Sequence, residues 1–196
     1  MQDDLTALRE AAARRDWNDL QNALTRLFMS LDFYVAVEIV VTRMGDYLPT
    51  FEAQNPGADW ARRLLVSVTS YGVAPSELPP EAGQPHPTPG SANFIMALLD
   101  LCRGLERKTP LENRIRFLAN AVSNTIVAEL ASAWYGEHPD AWAEQQEHGE
   151  ELDPATGLSV RQRIYAGFWL DEATAARDTA AWLRLADAVE KAFSKR

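Results

Sequence analysis

The 196-residue chain has a single cysteine, Cys102, and three histidines. A lone thiol excludes an internal disulfide and any multi-thiolate metal site. It fits a reducing compartment, so a cytoplasmic location is expected. Lys and Arg together number 19 against 28 Asp and Glu, a formal net charge of −9. There is no basic stripe of the kind that displaces counterions, so nucleic-acid binding is not expected. No basic stretch followed by an apolar run opens the chain, since MQDDLTALRE is already amphipathic. The longest apolar stretch, LFMSLDFYVAVEIVVTRM, carries Asp32, Glu38 and Arg43, and no membrane span is expected from it. Neither GxGxxG nor GxxxxGK occurs, which removes the usual signals for dinucleotide and P-loop binding. No serine sits in a glycine elbow.

What the sequence does have is apolar residues at helical pitch. Leu5, Leu8 and Ala12 mark a first helix, and Trp17, Leu20, Leu24, Leu27 and Phe28 a second. FYVAVEIVV is β-branched enough for a strand. Yet Phe33, Val37, Val40, Met44, Tyr47, Leu48 and Phe51 form one stripe that only a helix makes contiguous. Asn55–Pro56 reads as the cap and first turn of a fourth helix through Trp60, Leu64, Val68 and Tyr71, stopped by Gly72. Ser91 is expected to cap a helix with Phe94, Ile95, Leu98, Leu99, Cys102 and Leu105 inward. TPLE predicts a capping box, with Thr109 as cap, Pro110 as first helical residue and Glu112 reaching back. Leu111, Ile115, Leu118, Val122, Ile126, Leu130 and Ala133 continue that helix to Gly136. A short helix PDAWAEQQEH follows, then one through Val160, Ile164 and Phe168 capped by Ser159 and Gln162. A terminal helix, begun by Asp171 or Asp178, runs through Trp182, Leu185, Val189 and Phe193. The expected fold is all-α: an irregular multi-helix bundle or a short helical-hairpin array of eight to nine helices.

Between residues 72 and 91 lie six of the eleven prolines. Their fixed φ and missing amide hydrogens predict an extended loop. The expected organisation is a helical lobe over 1–72, a proline-rich loop or linker over 73–90, and a second lobe over 91–196, together one domain. A polyproline ligand is the functional alternative for the loop, but its PHPTP has no neighbouring Arg or Lys.

The first and last helices of the pattern echo one another. ARRDWNDLQNALTRLF aligns with ARDTAAWLRLADAVEKAF through Trp17/Trp182, Leu20/Leu185, Ala23/Ala188, Leu24/Val189 and Phe28/Phe193. LDFYVAVE then resembles the turn and second-helix opening of a tetratricopeptide repeat, matching at Asp32, Phe33, Ala36, Val37 and Glu38. Trp17, Leu20 and Leu24 match the first helix of that repeat, as do Trp182, Leu185, Ala186 and Val189 at the other end. The resemblance covers residues 17–49 and the last helix, and no period of about 34 residues joins them. It implies a function of binding a peptide or helix in a concave groove.

The charge is concentrated in one place. Residues 137–153 carry seven acids and no Lys or Arg. Within them Glu144 and His148 are four apart, Glu147 is adjacent and His138 precedes the helix. Imidazole and carboxylate together can hold zinc, iron or manganese. However, no HExxH and no pair of ExxH motifs is present. A solvated acidic face is the preferred reading, and no metal or other cofactor is expected. Of the six tryptophans, Trp17, Trp60, Trp134 and Trp182 fall on core stripes, leaving Trp142 and Trp169. The expected function is a non-enzymatic interaction protein, of adaptor, assembly or inhibitor type. It would dock a protein with a basic surface through Trp142, Glu144, Glu147, Glu150 and Glu151. Pairing with a second copy of the chain is left open. The alternative is a small helical-bundle enzyme or ligand carrier with a pocket between helices.

Overall fold

The computed structural model describes residues 2–71, 78–84, 86–148, 151–152, 154–155, 157 and 179–194, without the side chains of Trp17, Tyr71, Gln145, Ala192, Phe193 and Ser194. Within them the chain is all-α. Eight helices are present: α1 (Gln2–Arg14), α2 (Trp17–Met29), α3 (Phe33–Gln54), α4 (Trp60–Tyr71), α5 (Ser91–Leu105), α6 (Leu111–Glu137), α7 (Pro139–His148) and α8 (Thr179–Ser194). No strand occurs among the described residues, and no described helix is long and apolar enough to cross a membrane. The helix expected over Val160, Ile164 and Phe168, its Ser159/Gln162 cap, Asp171, Asp178, Trp169, Gly72 and Glu150 lie outside the described residues.

The centre of the fold is α6, which packs against α5, α3 and α2. Helices on several sides explain why Ala121, Val122, Ser123, Thr125, Ile126, Val127 and Ala128 are all buried, on every face of the helix. With α5 it makes an antiparallel hairpin whose close approach depends on Gly104. A Cβ there would stand 2.8 Å from Leu118 Cδ2. The β-branched stretch is helix, as its stripe requires, and Val40, Met44, Tyr47, Leu48 and Phe51 are buried. Pro49, inside that helix, faces solvent.

The two echoing helices have a shared neighbour. Both α2 and α8 pack on α1. Leu20, Ala23, Leu24 and Phe28 on one, and Trp182, Leu185 and Val189 on the other, are buried. Ala188, the partner of Ala23 in the echo, is exposed instead. Arg9 of α1 reaches Asp187 Oδ1 at 2.8 Å and Glu190 Oε2 at 2.7 Å on α8. The buried apolar residues of both halves of the chain form one contiguous cluster.

Several helix ends differ from expectation. Thr109 does not cap α6. Pro110 is the N-cap (φ −52°, ψ 141°), which pushes Thr109 outside the helix, where its hydroxyl donates to Glu106 at 3.2 Å. Glu112 pairs instead with Arg116, one turn on, at 2.6 Å. With the helix beginning at Leu111, that side chain points to solvent at 55% exposure and the inward row starts at Ile115. Ala133 is likewise exposed, and the helix runs past Gly136 to Glu137. Asn55 caps the C-terminus of α3, not the start of α4.

Ser91 is the first residue of α5, and Gly90 is its cap, at φ 80°. A Cβ at Gly90 would stand 2.3 Å from the Ala128 carbonyl oxygen, so only glycine lets the chain enter α5 this close to α6. Part of the proline-rich stretch packs on the bundle. Pro80–Gly83 form a 3-10 turn with Ala82 buried. The His86 ring lies 6.0 Å from Phe51 and 6.2 Å from Trp60. A polar clamp holds its end. The Asn55 side-chain amide donates to Phe51 O and Ser91 Oγ, both at 2.9 Å, and its oxygen accepts from Thr88 at 3.0 Å. Ser132 donates to the Pro89 carbonyl at 2.8 Å, so Tyr47 must be the donor in its 2.5 Å contact with Ser132.

Candidate functional site

The acidic helix is mounted on the end of α6 by aromatic rings. The backbone N–H of His138, which caps α6, donates to Trp134 O and Tyr135 O. Pro139 can then open α7, where its missing N–H costs nothing. The His138 ring stacks on Trp134 at 4.4 Å and 16°. Its Nδ1 is 2.8 Å from the Trp134 carbonyl oxygen. A carbonyl only accepts, so Nδ1 carries the proton. Trp142 sits one turn into α7, edge-on to Tyr135 at 4.9 Å and 65°. It is half-buried and packs with Ala141 against the core. Trp134, expected as core, is also only half-buried, and the exposed His138 ring covers part of it. Trp60 and Trp182 are buried as expected, at 2% and 0% exposure.

With Trp142 and Ala141 packed inward, the acids of α7 face outward. Asp140, Glu144 and Glu147 are exposed, as are Glu137 before the helix and Glu151 after it. Among the described residues none of these five pairs with Lys or Arg. The structure brings His148 to Glu151, with Nδ1 to Oε1 at 2.8 Å, and to Glu147, with Nε2 to Oε2 at 3.9 Å. The hydrogen bond to Glu151, then the surrounding negative charge, raises the His148 pKa above its ordinary value. His138 takes no part in this group. Among the described residues no set of three or more His, Cys, Asp or Glu is arranged to hold a metal.

A second region lies between helices, at residues that the sequence does not single out as a site. A cleft of about 470 Å³ opens between α3 and α8. Its floor is apolar, with Ile39, Ala181 and Leu185 buried, and one wall holds Arg43 at 15% side-chain exposure. Arg43 pairs with Glu129 Oε2 of α6, and Arg184 of α8 approaches Glu129 Oε1 at 3.8 Å. A second cavity, of about 310 Å³, shares Arg43 and Asp46 with the first and continues past Tyr47 to Ser132. The available signal was Arg43 itself, a charge interrupting an apolar helical run.

Two further buried groups have shifted titrations. Asp100, on the α5 face toward α6, is buried and accepts from Asn124 at 3.1 Å, with Arg103 at 3.6 Å. Burial pushes its carboxyl up to about 6, against the opposing pull of Arg103 and Asn124. Cys102 is buried as expected, and burial pushes its thiol up to about 11. Compared with known proteins, the chain matches no family model, no curated protein and no solved structure.

Proposed function

We propose that the protein is a non-enzymatic helical interaction protein, of adaptor, assembly or inhibitor type. It docks a partner with a basic surface through α7 and the acids that follow. The observation that carries this reading is an acidic face, exposed and without a Lys or Arg partner among the described residues, on a helix fixed by aromatic packing. Asp140, Glu144 and Glu147 point outward while Trp142 and Tyr135 hold the other side. Such a face steers a basic partner toward it and is screened by salt. Trp142, at the boundary between face and core, is the apolar contact the partner would cover. Glu150 and Glu151 extend the same charge. The resemblance of residues 17–49 and the last helix to tetratricopeptide repeats supports the same class. A cytoplasmic home belongs to the proposal, in keeping with the single buried thiol.

The test is capture of the partner from the native host by wild type and by the double variant Glu144→Lys, Glu147→Lys. The expected result is capture that weakens as salt rises and disappears on charge reversal. Capture indifferent to both removes the acidic face from the account.

A second reading, a ligand carrier, is favoured by the cleft between α3 and α8. It does not compete for the same surface.

A further inference from the structure

The cleft between α3 and α8 has its charges sorted by wall. On α3, Glu38, Thr42 and Asp46 recur every fourth residue and form one exposed row along the rim. On α8 the rim is Arg184, Ala188 and Lys191, also exposed. Two acids thus stand on one rim and two bases on the other, while Arg43 of α3 lies deeper in the wall and is paired with Glu129. Across a helix pair, such side chains ordinarily close into salt bridges. Here they do not: among the described residues neither Glu38 nor Asp46 lies within 4.0 Å of Arg184 or Lys191. Among the described residues, the one carboxylate within 4.0 Å of Arg184 is Glu129, at 3.8 Å. The short side chains of Thr42 and Ala188 sit midway along the rims and leave the gap unbridged. Beneath lies the apolar floor of Ile39, Ala181 and Leu185. The Arg43–Glu129 pair stiffens one wall. At about 470 Å³ the space falls within the range of small-molecule sites.

We infer that this cleft binds a zwitterionic small molecule with an apolar body, of the free amino acid or dipeptide kind. Its carboxylate meets Arg184 or Lys191, its ammonium meets Glu38 or Asp46, and its apolar side chain covers the floor. A purely anionic ligand would be repelled by the α3 rim, and a purely cationic one by the α8 rim. Charge-assisted contacts at both ends select for a molecule carrying both charges. This assignment rests on the carrier reading and is independent of what α7 docks.

The full chain is titrated calorimetrically with leucine, with Leu-Leu, and with Leu-Leu acetylated at its amine, amidated at its carboxylate, or both. Saturable one-to-one binding of at least one free zwitterion is expected, with each cap weakening it about tenfold, the loss of one charge-assisted contact. Which of the two zwitterions binds more tightly separates the amino acid from the dipeptide. Ala188→Trp, at an exposed position, fills the gap. It is expected to abolish binding while leaving the helical circular dichroism and melting temperature unchanged. Equal binding of the doubly capped peptide overturns the zwitterion class and leaves the carrier reading standing. Binding that survives Ala188→Trp overturns the location. No binding by any probe, and none by a hydrophobic dye displaceable through Ala188→Trp, overturns the ligand class and the carrier reading together.

Discussion

Asp100 and Cys102 sit two residues apart on α5, and both have their ionised forms disfavoured by burial. For Asp100 the consequence is a pH-dependent stability. A carboxyl raised from 3.8 to about 6 by folding contributes stability that is fully present below about pH 4. That contribution is lost as pH rises through 6. Asp100→Asn keeps the acceptor for Asn124 and removes the charge. It is expected to stabilise the protein at pH 7.5 by up to about 3 kcal/mol, the free energy that corresponds to moving the carboxyl from 3.8 to about 6. Near pH 4 the difference should vanish. Urea unfolding of the two proteins at both pH values checks this; an equal effect at both would show that Asp100 is not the titrating group. For Cys102, a thiol near 11 and 2% exposed should be inert to thiol reagents at pH 8 and label once on denaturation. Labelling of the native protein within minutes would contradict its burial. Cys102 was legible in the sequence because its apolar neighbours set its environment. Asp100 was not, since the sequence shows a charge on a helix without showing the second helix laid over it.

Helix by helix, the long stripes were readable and the ends were not. The stripe of α3 overrides the β-propensity of its residues because seven apolar positions must share one face. Caps depend on one residue's backbone angles. Pro110 adopts an extended conformation, so TPLE leaves Thr109 outside α6. Asn55 closes α3 rather than opening α4, because its partners, Phe51 O, Ser91 and Thr88, come from both sides of it in sequence. That clamp is testable. Asn55→Ala removes three hydrogen bonds in a buried site and should cost about 2–4 kcal/mol, with faster hydrogen exchange over 86–91. Loss of stability without local exchange would mean that the clamp does not hold the loop. At α8 two contacts compete for credit. Trp182 is fully buried, and Trp182→Ala should cost about 3–5 kcal/mol. Arg9, with its carboxylates Asp187 and Glu190 at 70% and 45% exposure, should contribute below about 1 kcal/mol to stability. Calorimetric melting of Trp182→Ala and Arg9→Ala ranks them, and the tryptophan is expected to dominate.

Across the whole molecule, α6 joins what the sequence divides. The proline-rich stretch falls between α4 and α5 in sequence, and α2 and α3 from before it pack on α6 from after it, within one apolar cluster. Tertiary partnership of this kind leaves no mark in a single sequence, whereas the charge of 137–153 is visible at once. What the fold adds to that charge is its mounting: Trp142 and Tyr135 fix one side of α7 and present Asp140, Glu144 and Glu147 on the other. A partner that lands on this face must cover it. Hydrogen–deuterium exchange on the complex with the co-purifying partner tests that landing most directly. New protection is expected over 139–151, with α4 and α5 unchanged. Protection confined to other helices, with α7 exchanging as in the free protein, would contradict docking through α7.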